Sequence, residues 1–63
     1  MCEANVYLHD AERGDVLLLE KVDKILPQDN ELYLENIFGE RKTVQARIKE
    51  MALVDHRIVL ERL

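Results

Sequence analysis

Cys2-Glu3-Ala4-Asn5-Val6-Tyr7-Leu8-His9 alternates at period two, with Cys2, Ala4, Val6 and Leu8 on one side and Glu3, Asn5, Tyr7 and His9 on the other. Successive side chains of a strand point to opposite faces, so this stretch reads as a half-buried strand beginning close to the terminus. Asp10 to Gly14 follows as a polar turn ending in glycine. The apolar run Val16 to Leu19 and the rough alternation from Glu20 to Ile25 predict a long, bent strand. A short helix is the alternative there, because Leu18, Val22 and Ile25 also fit helical spacing.

Pro27-Gln28-Asp29-Asn30 is the clearest turn in the chain. Glu31 to Glu35 predicts a short strand with Leu32 and Leu34 on one face, and Phe38-Gly39-Glu40 a tight turn. Lys42, Val44, Ala46 and Ile48 alternate with Arg41, Thr43, Gln45 and Arg47, which predicts one further strand. Met51 to Val54 is apolar, Asp55-His56 turns, and Arg57-Ile58-Val59-Leu60 supplies the last strand. Short strands punctuated by turns at this spacing suggest a sandwich or small barrel. The expectation is a single all-β domain over residues 1–63, with five to six strands. Its inward set is Ala4, Val6, Leu8, Leu18, Leu32, Leu34, Val44, Ala46, Ile48, Ile58 and Leu60.

A 63-residue chain with one cysteine has no internal disulfide. A domain of this size buries only about 60% of its unfolded surface and usually needs a metal or a partner chain. The chain therefore has a physical reason to dimerise. The opening residues lack the basic segment and apolar run of a leader, and no stretch approaches the roughly 20 apolar residues that span a bilayer. The expectation is a cytoplasmic protein whose cysteine stays a thiol. The net charge of −4 argues against nucleic-acid partners, whose backbones are bound by Lys and Arg.

Catalytic constellations are poorly represented. The chain contains no serine, and its glycines are only Gly14 and Gly39, which excludes a serine triad and a phosphate loop. The acidic residues are scattered along turns and strand exteriors and read as a solvated face. Cys2 and His9 fall on opposite faces of one strand, which prevents a direct nucleophile–base contact within it. The expectation is that the protein is not an enzyme. Arg41, Thr43, Gln45, Arg47 and Lys49 share one face by alternation and, with Tyr33 or Phe38 nearby, would imitate a single-strand binding platform. With three aromatics and a net negative charge, a solvated face is the preferred reading. His9, beside Asp10, and His56, after Asp55, read as surface residues; a hydrogen bond to Asp55 would let His56 cap its turn.

Cys2 is the remaining chemistry. A lone cysteine is ordinarily a small buried apolar residue. Next to a chain terminus, however, the α-amine, a backbone amide nitrogen and the thiolate come close together. With Met1 removed, the amine and thiolate of Cys2 form a five-membered chelate that the Glu3 amide nitrogen can join. With Met1 retained, its amine serves with the amide and thiolate of Cys2. Mixed nitrogen and sulfur donors favour square-planar nickel or copper(II). One chain supplies too few ligands for a closed structural zinc site. Two chains about a two-fold axis supply two thiolates and up to four nitrogens.

Met1-Cys2-Glu3-Ala4-Asn5-Val6-Tyr7-Leu8, Ile37-Phe38-Gly39-Glu40 and Leu53 to Leu60 resemble the CooT family of small nickel-binding proteins linked to maturation of carbon monoxide dehydrogenase. The resemblance covers nearly the whole chain; from Asp15 to Asn30 it is one of hydrophobic pattern only. It implies a small β-barrel of Sm-like or SH3-like shape, and a homodimer binding one Ni(II) with Cys2 as the metal ligand. It assigns no metal role to His9 or His56. A nickel enzyme or its maturation proteins would be the further partner. The Met-Cys opening also resembles HypC, in which the cysteine serves hydrogenase assembly, but the shorter length and the Phe38-Gly39-Glu40 and His56-x-Ile58-x-Leu60 segments favour CooT. An Sm-like RNA-binding module is the third reading.

Overall fold

The computed structural model describes residues 3–63. Six strands follow one another: β1 (Ala4–Asp10), β2 (Gly14–Gln28), β3 (Glu31–Asn36), β4 (Arg41–Val44), β5 (Ala46–Ala52) and β6 (Arg57–Arg62). They form one sheet in the order β4-β3-β2-β1-β6-β5. Neighbours pair antiparallel except β1 and β6, which run parallel with Val6 opposite Ile58 and Leu8 opposite Leu60. There is no helix among the described residues, so the helical alternative for Leu18 to Ile25 is replaced by strand.

The all-β expectation holds, and the bent strand is β2. It runs for 15 residues, pairing with β1 through its first part and with β3 through its second. Val6 lies opposite Leu19 and Ala4 opposite Val22, while Tyr7 lies opposite Leu17, so β2 carries an extra residue at two points. Such bulges bend the strand and shift the phase of its side chains. Leu19 and Val22 are therefore the core residues of β2, where simple alternation chose Leu18 alone; Leu18 is half-buried and packs against the core from the side. At the second bulge Lys21 adopts a left-handed conformation (φ +53°), which costs an L-residue about 1–2 kcal/mol. Its backbone is tied off on both sides: its N–H donates to Asn5 Oδ1 (3.1 Å), and its carbonyl accepts from the Ile37 N–H (3.0 Å).

The turn expected at Pro27 to Asn30 is tighter than the sequence suggests. Pro27 and Gln28 remain in β2, opposite Leu32 and Glu31, and only Asp29 and Asn30 form the connection. β1 does not extend alongside Pro27, so the missing N–H of proline interrupts no ladder on that side.

The single strand expected from Arg41 to Ile48 is two strands. The chain bends at Gln45, leaving β4 on β3 at one edge of the sheet and β5 on β6 at the other. One residue thus joins the two edges, and the sheet must curl into an incompletely closed, SH3-like barrel. Val44 and Ala46 flank the bend and both turn inward. Ile48, expected in the core, is 40% exposed. It lies on an edge strand where the register against β6 shifts between Ile48 and Glu50, and this ends the inward alternation.

The core comprises Ala4, Val6, Leu19, Val22, Leu32, Leu34, Ala46, Ile58 and Leu60, with Leu8, Leu18, Ile25 and Val44 packed around it. Val59 is also buried, although alternation turns it away from Ile58 and Leu60. It lies in β6 between β1 and β5, opposite Tyr7 and Glu50.

Candidate functional site

Met1 and Cys2 lie outside the described residues, so the candidate metal ligand is approached through the residues that follow it. Glu3 leads into β1, which is fixed from both sides at its first two residues. Ala4 pairs with Val22, and the Asn5 N–H donates to the His56 carbonyl (2.8 Å). His56 closes the turn between β5 and β6, where its N–H donates to the Leu53 carbonyl (3.1 Å) and its φ is +52°. Its ring does not cap the turn through Asp55. Instead Nδ1 lies 3.0 Å from the Glu3 carbonyl oxygen. A carbonyl only accepts, so Nδ1 carries a proton, and in the neutral ring Nε2 is the free lone pair.

Beside this tie the end of the barrel is hollow. A cavity of about 260 Å³ is lined by Glu3, Ala4, Val22, Asp23, Lys24, Ile25, Leu53, His56 and Ile58. The wall is mainly apolar, and Glu3, Asp23 and His56 bring the donor atoms. No group of three or more His, Cys, Asp or Glu side chains is gathered in metal-holding range among the described residues. The described donors alone do not make a metal centre, and Cys2, the candidate ligand of the sequence, lies outside them.

His9 stands at the other end of β1 from Glu3 and is engaged elsewhere. Its Nδ1 bonds Asp15 Oδ1 (2.9 Å), while Asp15 Oδ2 accepts from the Arg57 guanidinium. That guanidinium stacks over Tyr7 at 4.2 Å from the ring centroid. The hydrogen bond from His9, with the contribution of Arg57, holds the Asp15 carboxyl below the usual carboxylate range. Asp10 is lowered as well, because the N–H groups of Glu12 and Arg13 donate to its Oδ1 in the β1–β2 turn.

The basic face expected from Arg41 to Lys49 is divided by the bend at Gln45. Arg41 pairs with Glu35 (3.9 Å) and Arg47 with Glu61 (2.8 Å). The Tyr33 hydroxyl donates to Glu35 (2.7 Å), which lowers the Glu35 carboxyl and raises the phenol.

Sequence reading passed over Asn36, whose side chain is 2% exposed. Its Oδ1 accepts from the N–H groups of Phe38 (3.1 Å) and Glu40 (2.9 Å), and its Nδ2 donates to Glu40 Oε1 (2.7 Å). Gly39 (φ +83°) gives the loop its tight turn. The available signal was an Asn three residues before a Gly-Glu pair, the pattern of a side chain that imitates backbone in a turn.

Fold and terminus together define a small barrel-like all-β protein whose first strand is pinned beside a cavity by a turn from the far end of the chain. The family model of the CO dehydrogenase accessory protein CooT matches residues 1–61, and the chain belongs to that family. The chain is also similar to the crystal structure of a protein assigned as CooT from Carboxydothermus hydrogenoformans. Identity is 50%, 98% of each chain is covered, and the TM-score is 0.91. No curated protein matches the chain. Among the described residues no helix is long and apolar enough to cross a membrane.

Proposed function

We propose that this accessory protein binds Ni(II) through Cys2, in a homodimer that shares one ion between two chains, and passes it to carbon monoxide dehydrogenase or its maturation machinery. Its role is cytoplasmic and non-catalytic. The observation that carries this reading is the anchoring of Glu3. The His56 ring and the Asn5–His56 backbone bond fix the chain one residue after Cys2, at the rim of the cavity. An anchor at Glu3 limits the conformations that a chelate built on the preceding residues must give up on closing, which favours metal capture. Membership of the CO dehydrogenase accessory family supports the choice of enzyme.

Nickel is the cargo, and the chain's own part is to hold it. Each Cys2 contributes a thiolate and the adjoining nitrogens, and binding releases their protons. Titration with nickel, followed by native mass spectrometry and absorption spectroscopy, tests the reading. The expected result is one ion per two chains with thiolate-to-metal charge-transfer bands. Saturation at one ion per chain, or a colourless six-coordinate complex, would sink the shared-thiolate site. Tight, salt-sensitive binding of single-stranded RNA would restore the Sm-like alternative.

A further inference from the structure

We propose that Phe38 and Ile37, with Lys21 beside them, form a docking knob for a protein partner that offers an apolar pocket with a carboxylate at its rim. The proposal rests on the accessory reading, and it names the surface through which this protein meets the enzyme it serves.

Single exposed apolar side chains are ordinary on protein surfaces. What distinguishes Phe38 is the structure spent on presenting it. The ring is 62% exposed and Ile37 is exposed beside it, yet every backbone N–H of the loop from Asn36 to Glu40 is hydrogen-bonded. Asn36, the buried polar residue of the described chain, directs its side-chain hydrogen bonds to Phe38 and Glu40. The backbone adds Asn36 N–H to Glu40 O, Gly39 N–H to Asn36 O and Ile37 N–H to Lys21 O, each at 3.0 Å. A satisfied buried polar network of this kind fixes one conformation. An aromatic held ready in that way loses little freedom on binding, as interface anchors require.

Lys21 is the second observation. It occupies a left-handed position that glycine would fill without strain. From there its ammonium sits 5.7 Å from the Phe38 ring centroid. The ion pairs among the described residues are His9–Asp15, Arg41–Glu35, Arg47–Glu61 and Arg57–Asp15, and none includes Lys21. The strained lysine thus sets a cation without a carboxylate partner among the described residues at the rim of the exposed ring. A matching surface has an apolar recess for the ring and a carboxylate for the ammonium. The chain's net charge of −4 repels an acidic surface elsewhere, so attraction at Lys21 also orients the approach. A nucleic-acid base is the poorer occupant, because the ring is already paired with a cation and Glu20 and Glu40 adjoin Lys21 and Gly39 in the chain.

The test measures binding of the full chain to immobilised metal-free carbon monoxide dehydrogenase, for wild type, Phe38→Ser and Lys21→Glu. Circular dichroism, sedimentation and nickel titration are run on the same samples. Phe38→Ser should keep its fold and nickel binding but bind the enzyme roughly thirtyfold more weakly, the loss typical of an anchor residue. Lys21→Glu should slow association and remove its acceleration at low salt. Unchanged binding in both variants overturns the knob while leaving the accessory reading standing. Failure of the wild type to bind overturns the knob and, with it, direct delivery to the enzyme. A changed sedimentation coefficient in Phe38→Ser would assign the surface to self-association, and RNA binding lost in that variant would assign it to nucleic acid; either result overturns the proposal.

Discussion

The Nδ1 of His56 meets the Glu3 carbonyl oxygen across 53 positions of sequence, so the turn between the last two strands holds the residue that follows Cys2. His56→Ala removes this donor but leaves the backbone bond from Asn5. We expect a loss of about 1 kcal/mol in urea denaturation, the usual net worth of one such hydrogen bond. Nickel affinity should fall less than in a Cys2 variant. An equal or larger fall would make His56 a ligand in its own right.

Cys2→Ser should lose most nickel affinity while leaving the fold and the oligomeric state intact, because a hydroxyl is a poor substitute for a thiolate toward a borderline-soft metal. Isothermal titration with sedimentation on the same samples reads both effects. Retained tight binding would remove the thiolate from the site. Because binding releases protons, affinity in the wild type should also weaken as the pH falls.

Asn36→Ala leaves the Phe38 and Glu40 amides without their side-chain acceptor. The expected cost is about 1–3 kcal/mol, the penalty for unsatisfied groups in a partly buried turn. Hydrogen exchange should show the loss concentrated at the amides of residues 37–40. Uniformly unchanged protection would mean that backbone bonds alone hold the loop.

The Asp15 carboxyl is held below its unfolded value first by the His9 hydrogen bond and then by Arg57. A group depressed in the folded state stabilises it above the unfolded pKa, and that contribution is lost as the pH falls through the folded value. Asp15→Asn should therefore lower the denaturation midpoint near neutral pH. The gap from wild type should close as acid passes the ordinary carboxylate range. A gap that stays constant with pH would trace the effect to packing instead.

Leu34→Ala tests the centre of the barrel. Leu34 is fully buried, and its truncation should cost about 2–5 kcal/mol in urea denaturation. A loss below 1 kcal/mol would mean that the curled sheet collapses readily onto the gap.

Where strands keep strict alternation, their inward faces were readable. Ala4 and Val6 in β1, Leu32 and Leu34 in β3, and Ile58 and Leu60 in β6 all lie in the core as the period-two pattern requires. The misses share one cause, an interruption of that period. Two bulges in β2 bring Leu19 and Val22 inward, and the shift after Ile48 releases β5 to solvent. The bend at Gln45 has no glycine or proline to announce it; it follows from the two edges of one sheet having to meet. Val59 was missed because burial on both faces of a strand leaves no alternation to read. At the candidate site the reading of Cys2 rests on its position in the sequence, and Cys2 itself lies outside the described residues. The hold of His56 on Glu3 was not legible, since it depends on a parallel pairing between the first and last strands.

That parallel pairing also sets an order of events during synthesis. β1 leaves the ribosome first, but its neighbour β6 is translated last, and until then the edge of β1 lacks the partner that completes it. Contacts between distant segments form late because the intervening loop must first be closed. The carbonyl of Glu3 acquires its imidazole, and the cavity its Ile58 wall, only when the far strand arrives. A nascent or C-terminally clipped chain would thus leave Glu3 and Asn5 without the partners that His56 supplies. On the nickel-binding reading proposed above, competence to capture an ion would then arise only once β6 has joined the sheet.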